Sequence, residues 1–457
     1  MRLVPPRVVP PEKPLGRLAF AARFVRNPLE VVPREAYQAE FFRQGEGAAR
    51  AWIMGPDLLK AVLLDEHDKF RKLTQIRLLS PLLGHGLLTS EGADWKWQRQ
   101  ACAPMFRHQD LLGFVPVFVH AAQGLLGHWR TAPDSVQAAV HSIDRDVTRA
   151  AFEVISATLL PSADATIGPV LERSIAAFQR SGGWAQLYAS LAAPRWLPRP
   201  GIASGARAVI ALRSAVAAII RERRANGGPD DLMHRLMAAR DPESGQAMDD
   251  QRLIDNLLTF YLAGHETTAR ALSWTLYLLS RSPEWSGALA DEVERVAGGA
   301  PVEAAHIEHL VLTQQVLKES MRLFPPVPMM SRQVAADTTL AGHAIRAGSS
   351  VIIPIYAIHR HAARWDDPHA FDPSRFAPER EARIGRYQYL PFGAGPRICI
   401  GMAFAMIEAT AILATLLQQA RFSPAPGPEP QPLARVTLLP RGGLPLRVSL
   451  RQDYFAR

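Results

Sequence analysis

The most regular pattern along the chain runs from about Asp249 to Ser280, where Leu253, Leu257, Phe260, Ala263 and Thr267 recur near helical spacing. About 30 residues rising 1.5 Å each predict a helix of roughly 45 Å, enough to cross a whole domain. Asp249-Asp250 suits the positive end of the helix dipole, and Ser282-Pro283 supplies a stop. From about 105 to 240 the pattern is again mostly helical, with breaks at Gly182-Gly183 and around Pro194 to Pro200. Beyond about 325 it changes to short β-like runs between Pro/Gly turns. Val351 to Tyr356 predicts a strand, and Arg435 to Leu439, the turn Arg441-Gly442-Gly443 and Leu444 to Val448 predict a hairpin. Residues 1–35 are punctuated by prolines and predict an extended segment packed on the surface. No internal repeat or low-complexity linker divides the remainder, so residues 36–457 read as one large domain, mainly α with small β-sheets.

Composition removes several classes. A chain of 457 residues can bury a large core without disulfides, and 48% hydrophobic against 21% charged residues excludes a mainly disordered chain. Two cysteines, Cys102 and Cys399, exclude a disulfide framework and any cysteine-rich zinc or iron–sulfur site. The net charge of +9 points to an acidic partner, yet no dense basic run favours nucleic acid. The nearest candidate, Arg221-Glu222-Arg223-Arg224, reads as a solvated helix end. The opening MRLVPPRVVPPEKPLG lacks the apolar core of a signal peptide, and the richest apolar run, around Ala409 to Leu417, is too short to span a bilayer. The expectation is a soluble cytoplasmic protein with no membrane anchor.

The chemistry starts at Cys399, in Phe392-Gly393-Ala394-Gly395-Pro396-Arg397-Ile398-Cys399-Ile400-Gly401. Glycines permit turns closed to other residues and let a flat ligand approach the backbone. Gly401 opens an apolar, Ala-rich helix, whose N-terminal N–H groups favour a thiolate. A lone cysteine is more often a small packing residue, which is the reading for Cys102. Around Cys399, however, the loop resembles the haem-binding signature Phe-x-x-Gly-x-Arg-x-Cys-x-Gly of the cytochrome P-450 family and matches every fixed position. The resemblance implies the P-450 fold, with haem b held between the long central helix and the cysteine loop. It makes Cys399 the thiolate ligand of the iron, a ligand that favours O–O cleavage.

Other segments carry the same resemblance in family order. Ala263-Gly264-His265-Glu266-Thr267-Thr268 matches the family's (Ala/Gly)-Gly-x-(Asp/Glu)-Thr-Thr, although read alone it could be an exposed polar face. By resemblance, Ala263 and Gly264 leave room beside the haem, Glu266 and Thr267 form the acid–alcohol pair that relays protons, and His265 is an incidental neighbour. Trp95 and Arg99 match Trp-x-x-x-Arg, one helix face, and would bind haem propionates together with Arg397 and Arg332. Glu-x-x-Arg occurs twice. Glu319/Arg322 is followed by Leu323-Phe324-Pro325-Pro326-Val327-Pro328 as in the family's K-helix, and with Arg375 is implied to form a buried structural network. Glu292/Arg295 reads as a surface ion pair.

The implied activity is a monooxygenase that uses O2 and two electrons to hydroxylate a lipophilic small molecule. A fatty acid or alkyl chain is one expectation; aromatic and terpenoid substrates stay open. Electrons would come from a separate ferredoxin or flavodoxin with its reductase, docked on a basic face, and the protein would be a monomer. The rivals are a peroxide-driven or rearranging haem-thiolate enzyme, and a non-catalytic haem sensor or carrier. The pocket is expected to be lined by residues 70–88, including Leu87 and Leu88, by residues 178–196, by Tyr261, Leu262, Val327 and Met329, and by the hairpin tip near Gly443. Arg71 and Arg77 could anchor a carboxylate but read as exposed.

Overall fold

The computed structural model describes residues 2–45, 50–131, 139–159, 182–191, 202–241, 243–340 and 342–451. The expected break at Pro194 to Pro200, and all of the 178–196 pocket segment except residues 182–191, lie outside them.

The longer helices among the described residues are α1 (Arg17–Arg26), α2 (Leu73–Leu83), α3 (Gly92–Cys102), α4 (Val115–Arg130), α5 (Ile143–Leu159), α6 (Gly182–Ser190), α7 (Ile202–Asn226), α8 (Asp250–Ser280), α9 (Pro283–Ala297), α10 (Val311–Leu323) and α11 (Met402–Gln419). The 31-residue α8 starts where expected, the Asp249 carboxylate accepting from the Arg252 N–H at 2.7 Å, and stops before Pro283 opens α9. It is buried on all sides from Leu253 to Tyr261 and from Thr268 to Ser280, packing most closely on α5 and also on α7, α10 and α11. A helix running through a core this way is mostly apolar, and its buried polar side chains, such as Asp255 and Asn256, are hydrogen-bonded. One buried cluster extends from Leu29 to Val448, with α8 at its centre.

A five-stranded sheet has the order β1-β2-β8-β5-β3, where β1 is Phe41–Gln44, β2 Arg50–Ile53, β3 Phe70–Arg71, β5 Met330–Val334 and β8 Ser350–Ile353, and between the last two β6 (Thr338–Leu340) and β7 (His343–Ile345) form a separate ribbon. In it β5 runs antiparallel to both β3 and β8, with Arg332 opposite Val351. The strand expected at Val351 to Tyr356 therefore ends at Ile353, because Pro354 cannot continue the ladder and caps a short helix, Ile355–Ile358. The expected hairpin is also displaced. Gln431–Ala434 (β10) pairs with Leu438–Arg441 (β11), which puts Arg435 to Thr437 in the turn. Pro445–Leu450 (β12) instead lies between β4 (Ala139–Ser142) and β9 (Ala420–Pro424). Gly442 and Gly443, both at positive φ, let the chain swing from one sheet to the other.

The proline-rich start is not extended throughout. Residues 17–26 form α1, and Leu29, Val32 and Ala36 are fully buried in the core. The basic run at the end of α7 is less solvated than expected, since Arg223 is buried against Asp231 at 2.7 Å and Arg224 pairs with Asp250. Two helical stretches, residues 108–130 and 402–419, are apolar and long enough to cross a membrane by length alone; the second is mostly buried in the core.

Candidate functional site

The cysteine loop is built from backbone constraints. The Cys399 N–H donates to the Phe392 carbonyl at 3.0 Å, closing the loop, and the Gly401 N–H points at the sulfur. Gly395 has φ +69°, and a Cβ there would lie 1.8 Å from the Leu63 carbonyl oxygen, so no other residue fits. Burial pushes the Cys399 thiol up, opposed by the Gly401 N–H and by Arg99. In the protein alone, burial thus outweighs the helix end that was expected to favour a thiolate. Yet the Cys399 side chain is open. A group deep in the fold with open surface faces an interior space. Cys102 has neither property: it is fully buried at the end of α3, its thiol pushed up to about 12 by burial.

α8 also carries open surface within the fold. Within this otherwise buried helix, Ala263 is exposed and Leu262, Gly264 and Thr267 are half-open. Ala263 and Thr267 share one face at i, i+4, where the Thr267 hydroxyl donates to the Ala263 carbonyl at 2.7 Å. Two neighbouring expectations change. The room left by Gly264 is taken by α5, since a Cβ there would meet Ile155 Cδ1 at 2.8 Å. Tyr261 is two residues, or about 200°, around the helix from Ala263. It is buried and shares a hydrogen bond with Ser156 on α5, so it does not line the open face. His265 lies on that same side, with Nδ1 on the Tyr261 carbonyl and its pKa lowered by burial. Finally, Glu266 and Thr267 do not bond each other: Glu266 Oε1 accepts from the Thr437 hydroxyl at 2.7 Å.

Cations gather beside the loop. Arg397 lies 3.8 Å above the Trp95 ring and donates to the Ser90 carbonyl at 2.9 Å. Arg99 sits near enough to Cys399 and Arg397 to affect both. Arg332, on β5, is buried, and its side chain donates to the neighbouring Ser331 carbonyl at 3.0 Å. Lys72, which the sequence reading missed, donates to the Leu88 carbonyl at 2.8 Å, and its backbone N–H meets Glu91 at 2.6 Å. Burial, and then Arg332 and Arg397, pull the Lys72 pKa well down; burial takes Arg332 and Arg397 each to about 10. Lys72, Arg332 and Arg397 thus share one nearby carboxylate, Glu91, and neither they nor Arg99 has an ion pair among the described residues. Such a group needs anions. Nothing in the sequence around Lys72 signals it, because its place depends on the loop 84–91 folding back.

That loop is pinned to α8. Asp255, buried, accepts from the His85 N–H at 2.7 Å, from Arg213 on α7 at 2.5 Å and from Gln251 at 3.0 Å, while Asn256 accepts from the Leu87 N–H at 2.9 Å. Leu87 is buried and Leu88 half-buried in this loop; Val327 and Met329 are half-buried in the segment after α10. Arg71 and Arg77 are exposed.

Glu319 and Arg322 are completely buried and form two parallel bonds at 2.7 and 2.8 Å, with Arg375 at 3.4 Å from the same carboxylate. Arg322 also donates to the carbonyls of His359, Pro368 and Ala370. His359 Nε2 in turn accepts from the Leu390 N–H at 2.8 Å, which carries the network to the start of the cysteine loop. Glu292 is not in a surface pair. It is buried, and its carboxylate caps α10 by accepting from the Leu312 and Thr313 N–H groups at 2.7 and 2.8 Å.

A model of the cytochrome P-450 family matches residues 36–445. The chain belongs to the cytochrome P-450 family. Similar proteins include cyclooctatin synthase of Streptomyces melanosporofaciens, 34% identical over 361 residues, covering 78% of this chain and 77% of that protein. Cyclooctat-9-en-7-ol 5-monooxygenase of the same organism is 30% identical over 435 residues, 92% of each chain. Pentalenene oxygenase of Streptomyces avermitilis is 28% identical over 439 residues, 95% of each chain. The protein is accordingly a P-450 monooxygenase, an oxidoreductase whose family implies a haem cofactor, O2, an organic substrate and a separate redox partner. The residues present fit a haem. An open thiol lies deep in the fold, α8 is reduced to alanine on its open face, and four cations lack anions that propionates would supply.

Proposed function

We propose that this cytochrome P-450 binds haem b and hydroxylates a neutral, lipophilic, terpene-type substrate. The group of Lys72, Arg99, Arg332 and Arg397 beside an open Cys399 carries this reading, since it matches a flat dianion with a metal at its centre. Cys399 would hold the iron, and Trp95, Arg99, Arg332, Arg397 and Lys72 the propionates, with Phe392 and Gly401 shaping the loop. Haem so held supplies oxygen activation and the two-electron chemistry of C–H hydroxylation. Thr267 presents its hydroxyl at the open face, and Glu266 is the nearby acid that would move protons toward it.

Substrate polarity follows from the lining. Leu88, Leu262, Ala263, Val327 and Met329 offer no cation for a carboxylate, and the exposed Arg71 and Arg77 do not supply one. The names of the relatives, which carry an alkenol and an alkene, agree with this better than a fatty acid does. We also place residues 36–457 in one domain, working as a cytoplasmic monomer served by a ferredoxin or flavodoxin with its reductase. The net charge of +9 supports docking of an acidic donor.

The cofactor reading is tested by the CO spectrum of the reduced protein, expected near the thiolate-specific wavelength and lost in Cys399→Ala. Titration with pentalenene and with dodecanoic acid, followed as the shift to high-spin iron, separates the two substrate classes. A shift with dodecanoic acid alone would reverse the assignment.

A further inference from the structure

Among the described residues Glu266 has one side-chain hydrogen-bond partner, and it lies far along the chain. Both Glu266 and Thr437 are buried, and the Thr437 hydroxyl donates to Glu266 Oε1 at 2.7 Å. Thr437 stands in the turn between β10 and β11, a turn held from several sides. The Leu438 N–H donates to the Pro326 carbonyl at 2.9 Å, and the Leu438 carbonyl accepts from the Trp274 indole on α8 at 2.9 Å. Across the turn the Arg435 N–H donates to the Thr437 carbonyl at 2.9 Å, and the Arg435 carbonyl accepts from Gln186 on α6 at 2.6 Å. Between them Val436 is half-buried against the core. The turn thus has fixed contacts with α8, with the Pro326 to Met330 segment that carries Val327 and Met329, and with α6.

We propose that Thr437 is the positioning residue for Glu266. It holds Oε1 so that the carboxylate's second oxygen takes up a defined place beside Thr267, which itself points its hydroxyl back at the Ala263 carbonyl and gives Glu266 no support. A hydroxyl donating to a buried carboxylate is a strong, directional bond. Removing it frees the acid's rotamers while leaving the rest of the turn anchored through backbone and indole. The hairpin and the proton-handling acid become one unit, so displacement of the turn by a bulky occupant of the pocket moves Glu266 with it. This rests on the reading of Glu266 as the acid that moves protons.

The test compares the holoenzyme with Thr437→Val, Thr437→Ala, Thr437→Ser and Glu266→Gln. With NADPH and a surrogate ferredoxin–reductase pair, and no added substrate, oxygen consumption is measured in H2O and D2O. The infrared C–O stretch of the ferrous CO complex provides a readout independent of turnover. Thr437→Val is expected to slow oxygen consumption about 3- to 10-fold, to raise the solvent isotope effect in the direction of Glu266→Gln, and to shift or split the CO band; Thr437→Ser should restore all three. Thr437→Ala serves if the valine variant does not fold. The proposal is overturned if either the isotope effect or the CO band is unmoved in both hydroxyl-free variants while Glu266→Gln departs in both. If Glu266→Gln itself matches the parent, the proton role of Glu266 fails first, and the positioning role falls with it.

Discussion

Glu319→Gln removes one charge and almost no volume from a site with no access to water. Both Glu319 and Arg322 are fully buried, and the carboxylate receives two bonds from Arg322, one from the Asp372 N–H at 2.9 Å, and the nearby charge of Arg375. The glutamine keeps the shape but leaves two buried guanidinium groups facing a neutral amide, whose NH2 end meets a donor wherever it is placed. Breaking one side of a buried pair costs about 3–5 kcal/mol, a large part of a typical 5–15 kcal/mol total. Arg322 also secures the carbonyls of His359, Pro368 and Ala370, so the loss spreads toward the cysteine loop. The expected result is a lower urea midpoint, with a holoprotein fraction, read from the CO spectrum, that falls in parallel. Glu319→Leu should be more damaging still, because it leaves both Arg322 and Arg375 buried with no acceptor in place of the carboxylate. A cost below about 1 kcal/mol for Glu319→Gln would refute the claim that this pair holds the loop.

Three further outcomes follow from single contacts. Burial holds His359 at about 3, with Nδ1 facing the Arg322 carbonyl and Nε2 accepting from Leu390. Its folded pKa lies below the usual value, so its stabilising effect is complete above about 6.5 and declines as pH falls toward 3, by up to about 1.4 kcal/mol per unit; denaturant titrations across that range should show a shallower acid limb in His359→Gln. Gly395→Ala drives a methyl into the Leu63 carbonyl and should give soluble but haem-poor protein, measured as haem per chain. Asp255→Ala strips the His85 N–H of its acceptor and Arg213 of its partner, so amide exchange at residues 84–88 should accelerate by about tenfold or more, more than at residues of α9, and the melting temperature should fall.

The motifs that were legible are the local ones. A thiol, an arginine, a phenylalanine and two glycines at fixed spacing define the loop around Cys399, and a 31-residue helix announces itself by its apolar periodicity, length and caps. What could not be read depends on which way a helix is turned and on which strand pairs with which. Tyr261 and Ala263 are neighbours in sequence but face opposite ways, one onto Ser156 and the other onto the open space. Gly264 looks like room for a ligand, yet its missing Cβ accommodates Ile155. The β-rich C-terminal segment holds runs that could pair in two ways. Pro432 and Pro440 face each other in a two-stranded ribbon that has free edges for residues without an N–H, whereas Leu446 and Val448 take the centre of another sheet. That choice moves the hairpin tip from Gly443, which packs near Asp144, to Arg435 to Thr437. With it, Thr437 reaches Glu266 across 171 residues of sequence, a pairing with no local signal. Lys72 and Glu91 meet for the same reason: Asp255 and Asn256 fold the intervening loop onto the central helix and complete the cation group beside Cys399.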